Sequence, residues 1–212
     1  MAVTICIGHG LPALWQGNMR EARTIILASA SPRRKELLGL TGLQFKVDPG
    51  DFKEDMNLQI SPHELARFLS LEKARSVAGK YEDAIIIAAD TFVVIKEEIL
   101  GKTHTIDEAK RMLALLNGRT HSVITGFTII DTDTGKSLSR SVETRVTFKK
   151  LTMKEIDAYV KTKEPLDKAG AYAIQGLGSV FVKRIEGDHY NIIGLPLCAL
   201  VESLKEFGIR IL

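Results

Sequence analysis

The chain has little of what several large protein classes need. Among its 212 residues there are two cysteines, Cys6 and Cys198, at opposite ends and without metal-type spacing. That argues against a disulfide scaffold and a zinc site, and makes a reducing cytoplasm the default compartment. Aromatic residues make up 6% and the formal net charge is +3. Nucleic-acid binders gather Lys and Arg on one face and interleave aromatics for stacking, so neither number supports such a partner. The opening stretch "MAVTICIGHGLPALWQG" lacks the basic n-region and long apolar core of a signal peptide and is too interrupted to span a bilayer. No G-x-x-x-x-G-K-[ST] loop occurs, which disfavours a P-loop nucleotidase, and no glycine pair completes G-x-G-x-x-G. Internal repeats, low-complexity tracts and long linkers are also missing.

What is present is the balance of a soluble globular domain, 45% hydrophobic and 26% charged. Residues 1–23 read as an N-terminal extension, poorly specified or assigned upstream of the true start, with Met19 standing just before the first regular element. Residues 24–212 read as a single domain in which strand-like and helix-like segments alternate, which argues α/β. Thr24 to Ala28 is a buried strand, and Pro32 to Leu40 a helix with Ser31 as N-cap. "SPHE" (61–64) is a capping box opening a helix whose Leu65, Phe68, Leu69 and Val77 share a face. "DAIIIAAD" (83–90) reads as a strand covered on both sides, followed by a further strand at Phe92–Ile95. "TIDE" (105–108) reads as a second capping box, with its helix ending near Asn117-Gly118, and "TMKE" (152–155) as a third. Residues 121–150 form a ribbon turning at Asp133-Thr134-Gly135. "SVFVKRIEGDHYNII" reads as a hairpin turning at Gly187, and a last helix runs from Leu197 to Phe207. Long strands with polar turns suit two lobes around a cleft.

The chemistry begins at "IILASASPRRKELL" (25–38). Arg33 and Arg34 stand at the positive end of a helix, where a cation is unfavourable unless an anion offsets it. Free backbone N–H groups at such an end bind phosphate, Ser29 and Ser31 add hydroxyls, and guanidinium groups bind phosphate bidentately. A lone surface arginine would simply be solvated; two here, after a buried strand, point to a polyphosphate. Asp90, closing "IIIAAD", sits where open α/β sheets bind ligands, able to hold a divalent cation or polarise a water. Lys73, Lys102 and Lys168 are each ordinary surface lysines alone, and together with the arginines could neutralise a triphosphate. Glu54, in an acidic run, is a further metal-ligand candidate.

Taken in order, "ILASASPRRKELL", "EKAR", "AADTFVV", "LGK", "EPLDKAGAYAIQGLG" and "GLPL" resemble the Maf family of nucleoside triphosphate pyrophosphatases, over roughly Thr24 to Phe207. The resemblance implies an elongated α/β fold of the inosine-triphosphatase type, with a mixed sheet flanked by helices and the nucleotide between two lobes. It implies hydrolysis of the α–β phosphoanhydride, house-cleaning of non-standard pyrimidine nucleotides, a divalent cation (Mg²⁺ or Mn²⁺) and a homodimer. Residue by residue, Asp90 matches the catalytic aspartate and a metal position. Ser29, Arg33, Arg34, Lys73 and Lys102 match phosphate-binding positions, Arg33, Thr91 and Gln175 base-selecting ones, and Glu54 an acidic metal position. Ala89-Asp90-Thr91 and Ile174-Gln175-Gly176 resemble the dTTP/UTP type rather than the 7-methyl-GTP type, which lacks both. Physically, an amide such as Gln175 can donate to a pyrimidine carbonyl while accepting from N3–H. One departure is Thr103, where the family usually has Pro after the lysine. The family's link to inhibition of septum formation supplies an alternative: a nucleotide-binding regulator of cell division acting through a protein partner. A carboxylate beside a polyanion favours chemistry over pure binding.

Overall fold

The computed structural model describes residues 23–52, 56 and 58–212. Glu54 and the proposed extension up to residue 22 therefore lie outside the described residues. The regular elements are β1 (Thr24–Leu27), α1 (Pro32–Gly39), β2 (Lys46–Val47), α2 (Pro62–Ala78), β3 (Ala84–Ile95), β4 (Glu98–Leu100) and α3 (Ile106–Leu116). They continue with β5 (Thr120–Asp131), β6 (Ser137–Phe148), α4 (Met153–Lys161), β7 (Val182–Glu186), α5 (His189–Ile193) and α6 (Leu197–Leu204). Short 3₁₀ turns occupy Leu177–Phe181 and Lys205–Phe207.

The strands form one mixed sheet in the order β2-β1-β3-β5-β6-β7, with β4 also paired to β3. β1 runs parallel to both β2 and β3, and the other pairings are antiparallel. Three strands of 12 residues, β3, β5 and β6, make the sheet elongated; at roughly 3.3 Å per residue each is about 40 Å long. The mixed, elongated α/β architecture is the one expected.

Where β3 was expected to break, it continues. Asp90-Thr91 interrupts the apolar run, yet both residues stay in the ladder, Asp90 opposite Gly126 and Thr91 opposite Thr125. The strand edge is what changes. β1 pairs with β3 only as far as Ile87, and β4 takes up pairing at Val93. Between them the edge of β3 lies open, and Asp90-Thr91 sits in the gap.

The core divides at the same level. Side chains alternate across a strand, so one face of β3 presents Ile85, Ile87 and Ala89 to α1 and α6, then Val93 and Ile95 to α3 and α4. Thr91 stands between those two apolar clusters. The other face is covered by α2, which packs on Ile86 and Ala88 with Ala74 and Val77, and on Phe92 with Leu65 and Leu69. Asp90 stands between these. The two lobes are thus two ends of one long sheet, and the polar pair marks their junction.

Three local readings need correction. Phe68 is 38% exposed while Leu65, Leu69 and Val77 are buried; at about 100° per residue it points nearly opposite the centre of the buried arc, which lies near Ala66 and Val77. At Thr105 the hydroxyl caps Glu108 N–H, but the Glu108 carboxylate turns to Thr103 Oγ1 at 2.9 Å, so the box is not reciprocal. The boxes at Ser61 and Thr152 are. After Gly187 the chain enters α5 instead of a return strand, because Asp188 caps Tyr190 N–H at 2.8 Å.

Candidate functional site

The loop after β1 feeds α1 at the open edge of β3. Ser31 is the N-cap, accepting from Arg34 N–H. The two arginines that follow point to different tasks. Arg34 is built into the frame: its Nε donates to the Gly194 carbonyl at 2.8 Å, Nη1 to Ser29 Oγ at 3.2 Å, and Nη2 to Thr91 Oγ1 at 3.0 Å. From Thr91 a donor chain runs on to Thr125 Oγ1 at 2.9 Å and then to the Asn191 carbonyl at 3.0 Å. Arg33 is different. Among the described residues no hydrogen bond or ion pair holds its guanidinium. Burial lowers its pKa, with Glu36 opposing weakly, so its charge stands in a partly desolvated place without a matching anion.

On the opposite face of β3, Asp90 is 5% exposed and forms an ion pair with Lys73 Nζ. A buried carboxylate is costly unless paired, and α2 supplies the partner. The helix lies close because Gly126, opposite Asp90, has no side chain. A Cβ there would stand 2.0 Å from the Ala66 carbonyl oxygen. Ala66 and Lys73 are seven residues apart, two turns along the same face of α2, and a helical side chain leans back toward the N-terminus.

The far wall comes from the segments after β4 and α4. Lys102 pairs with Ala169 in an isolated antiparallel bridge, and Gly170 N–H reaches the Gly101 carbonyl at 3.1 Å. Thr103, the departure from the family pattern, is fully buried. Its hydroxyl donates to Glu108, and its carbonyl accepts from Asp167 N–H at 2.8 Å. The loop is therefore fastened by hydrogen bonds where proline would have stiffened it. Lys168 stands near Arg33 and Lys102; burial first, then Arg33 and more weakly Lys102, depress its pKa against the opposing charges of Asp167 and Glu164.

These walls enclose a cavity of about 630 Å³. Ser29, Arg33, Arg34 and Thr91 line it from one side. Lys73, Lys102, Lys168 and Gln175 line it from the others. Asp90 does not itself line the cavity, although its partner Lys73 does. Gln175 is exposed, and no hydrogen bond holds its amide among the described residues. Among the described residues no cluster of three or more His, Cys, Asp or Glu side chains is arranged for a metal ion.

The Maf-like protein family matches residues 24–207. The chain belongs to the Maf family. The dTTP/UTP pyrophosphatases of Bacillus cereus (strain AH820) and Bacillus anthracis (strain CDC 684 / NRRL 3495) are each 50% identical to it over 189 residues, covering 89% of this chain and 98% of theirs. Among solved structures the Staphylococcus aureus Ham1 protein matches 88% of this chain and 100% of its own at 13% identity and a TM-score of 0.49, too distant to add to the assignment.

Within this Maf protein, the sequence missed the Gly194 carbonyl that receives Arg34 and the Thr125–Asn191 relay behind Thr91. The "GLPL" stretch contains that glycine, but a backbone acceptor leaves no compositional trace. Lys168 was singled out with Lys73 and Lys102 as a triphosphate partner, and all three line the cavity.

Proposed function

We propose that this chain hydrolyses dTTP and UTP to the nucleoside monophosphate and pyrophosphate. Membership of the Maf family and the similarity to dTTP/UTP pyrophosphatases along nearly their whole length support the reaction class. The observation that carries the site is the cation group Arg33, Lys102 and Lys168 on one cavity, with Lys73 on the same cavity and Asp90 paired behind it.

In this reading Arg33, Lys102 and Lys168 receive the β- and γ-phosphates, while Arg34 holds Ser29 and Thr91 in place around the α-phosphate. A water attacks the α-phosphorus in line, its proton passes to the Asp90 carboxylate, and the bond to the β-phosphate oxygen breaks. Pyrophosphate leaves with its new charge met by the cations, a preorganised field that strengthens as charge develops. Lys73 fixes the Asp90 carboxylate at the open edge of β3. Gln175 presents its amide to the pyrimidine, where a base that leaves the amide unmatched is rejected.

Of the two carboxylates expected to hold a divalent cation, the described residues include Asp90, which is paired with Lys73 behind the cavity wall. Mg²⁺ is commonly held by one or two carboxylates plus substrate phosphates rather than by an all-protein cage. Asp90, with Glu54 as second candidate, would hold it. When bound, such an ion neutralises phosphate charge. We extend the proposal to a cytoplasmic homodimer; exposed Leu177, Val180 and Met153 are compatible with an interface.

The test is pyrophosphate release from dTTP, UTP, CTP, 7-methyl-GTP and ITP, with and without Mg²⁺. Selective turnover of dTTP and UTP is expected. Binding of dTTP without turnover of any substrate would reject the enzyme and favour the nucleotide-binding regulator.

A further inference from the structure

Among the described residues no hydrogen bond holds the Gln175 side chain, so its backbone sets where it starts from. The backbone on both sides of it is fastened to α4 and the turn that follows. Tyr159 is buried in α4, and its hydroxyl oxygen accepts from Ala173 N–H at 3.2 Å. The same hydroxyl donates to Glu164 Oε1 at 2.9 Å. Glu164 in turn accepts from Gly178 N–H at 3.0 Å and from Leu177 N–H at 2.9 Å. Two residues thus hold three backbone N–H groups that bracket Gln175, one before it and two after.

The glycines of Ile-Gln-Gly-Leu-Gly follow from this packing. A Cβ on Gly176 would stand 2.5 Å from Glu164 Oε1 and 2.6 Å from its carboxyl carbon, and one on Gly178 would stand 2.8 Å from Tyr159 Oη. The segment lies flat on the carboxylate and the phenol, and any side chain would lift it. Lys163, at φ +63°, turns the chain out of α4 so that Glu164 faces back toward the segment. Neither Tyr159 nor Glu164 lines the cavity. Burial works to raise the Glu164 pKa, but the Gly178 and Leu177 amides, the Tyr159 hydroxyl and the Lys168 charge outweigh it, so the group stays an ionised acceptor.

We propose that Glu164, together with Tyr159, is the positioning element of base selection: a carboxylate outside the cavity that fixes the backbone carrying Gln175. This rests on the reading of Gln175 as the base-contacting residue. Nucleotide preference is then set partly from α4, through hydrogen bonds that never touch the substrate.

The test compares Glu164→Gln, Tyr159→Phe, Gln175→Ala and Ile156→Val, reading kcat and KM for dTTP and CTP together with the thermal midpoint. Glu164→Gln keeps the shape but puts an amide N–H₂ against backbone donors. It should lower the ratio of kcat/KM for dTTP over CTP by about ten- to a hundredfold, the scale of a sub-ångström to 1 Å misplacement. The loss should fall mainly on KM for dTTP, with turnover of CTP retained. Tyr159→Phe should shift the ratio the same way and keeps the test open if Glu164→Gln does not fold. Ile156→Val loosens the same helix without touching Glu164, and should lower the midpoint with no change in the ratio. Gln175→Ala should collapse the ratio. An unchanged ratio in both Glu164→Gln and Tyr159→Phe, with Gln175→Ala collapsing it, would overturn the positioning role alone. An unchanged ratio in Gln175→Ala would instead overturn the base-contact reading beneath it.

Discussion

Adjacent arginines at the start of α1 should behave as opposites when removed. Arg34→Ala deletes at least three hydrogen bonds, to Gly194 O, Ser29 Oγ and Thr91 Oγ1. Bonds from a charged donor are worth about 1.5–3 kcal/mol each, but water from the open cavity can replace part of each one. Taking about 1 kcal/mol apiece gives a loss of about 3 kcal/mol. In a domain of this size about 1 kcal/mol shifts the thermal midpoint by about 2–4 °C, so the expected fall is about 6–12 °C. Arg33→Ala removes a cation that no described residue pairs, and that crowds Lys168. Its stability should stay within about 0.5 kcal/mol of the parent, the range of an unengaged surface group. Its catalytic cost should be large: one charge-assisted phosphate contact at about 1.5–3 kcal/mol corresponds to a loss of about ten- to a hundredfold in kcat/KM. Urea unfolding and steady-state kinetics on the two variants decide the matter. Equal destabilisation by both, or an Arg34→Ala protein as stable as the parent, would refute the division of labour.

Asp90→Asn should lower kcat by about 10²–10⁴, the usual share of a general base, while dTTP binding measured by calorimetry persists; normal turnover would remove Asp90 from the mechanism. Gly126→Ala should cost about 1–3 kcal/mol or more in urea unfolding, since its Cβ would meet the Ala66 backbone at 2.0 Å, and a silent substitution would contradict the close approach of α2. His121 is 3% exposed, hydrogen-bonded through Nε2 to Tyr172 Oη, and burial lowers its pKa to about 4. The unfolded chain, with an ordinary histidine pKa near ~6.5, takes up that proton first. Stability should therefore be full above pH ~6.5 and fall as pH drops toward the folded value, by about 3 kcal/mol in all. A urea midpoint that stays flat from pH 7 to 5, after subtraction of the His121→Phe profile, would refute it.

Local rules were legible in the sequence because they act within one turn. The capping boxes at Ser61 and Thr152, the Ser31 cap and the left-handed Gly208 that ends the last helical turn all follow from neighbours three residues apart or fewer. What failed was decided from a distance. The Glu108 carboxylate left its box for the buried Thr103 hydroxyl and the His104 N–H. Phe68 looked like core because its spacing is helical, but which arc of α2 is buried is set by Gly126 and the sheet. β3 looked broken at Asp90-Thr91 because a polar pair ends most strands. Here Lys73 and Arg34, from two other elements, satisfy that pair and let the strand continue. Among the site residues, the positions could be carried over from family resemblance. The difference between Arg33 and Arg34 could not, since neighbours on a helix point about 100° apart and only packing says which one meets a partner.

The open edge of β3 explains why a polar pair sits at the middle of a strand instead of at its end. β1 stops at Leu27 and β4 begins pairing at Val93, so the backbone between them has no strand neighbour on that side. A polar pair placed there sends its two side chains to opposite faces. Asp90 meets α2 and Lys73, and Thr91 meets Arg34 and the Thr125 relay. Each face is satisfied internally, which keeps the frame rigid. The cations are moved outward, to Arg33, Lys102 and Lys168 across the cavity, and among the described residues no hydrogen bond or ion pair holds the Arg33 guanidinium. Arg33 and Lys102 both press on Lys168, so a polyphosphate that binds there eases a repulsion as well as adding contacts. In the proposed reading, such a site favours substrates by how much negative charge they bring to that side, while Gln175, on another wall, meets the base.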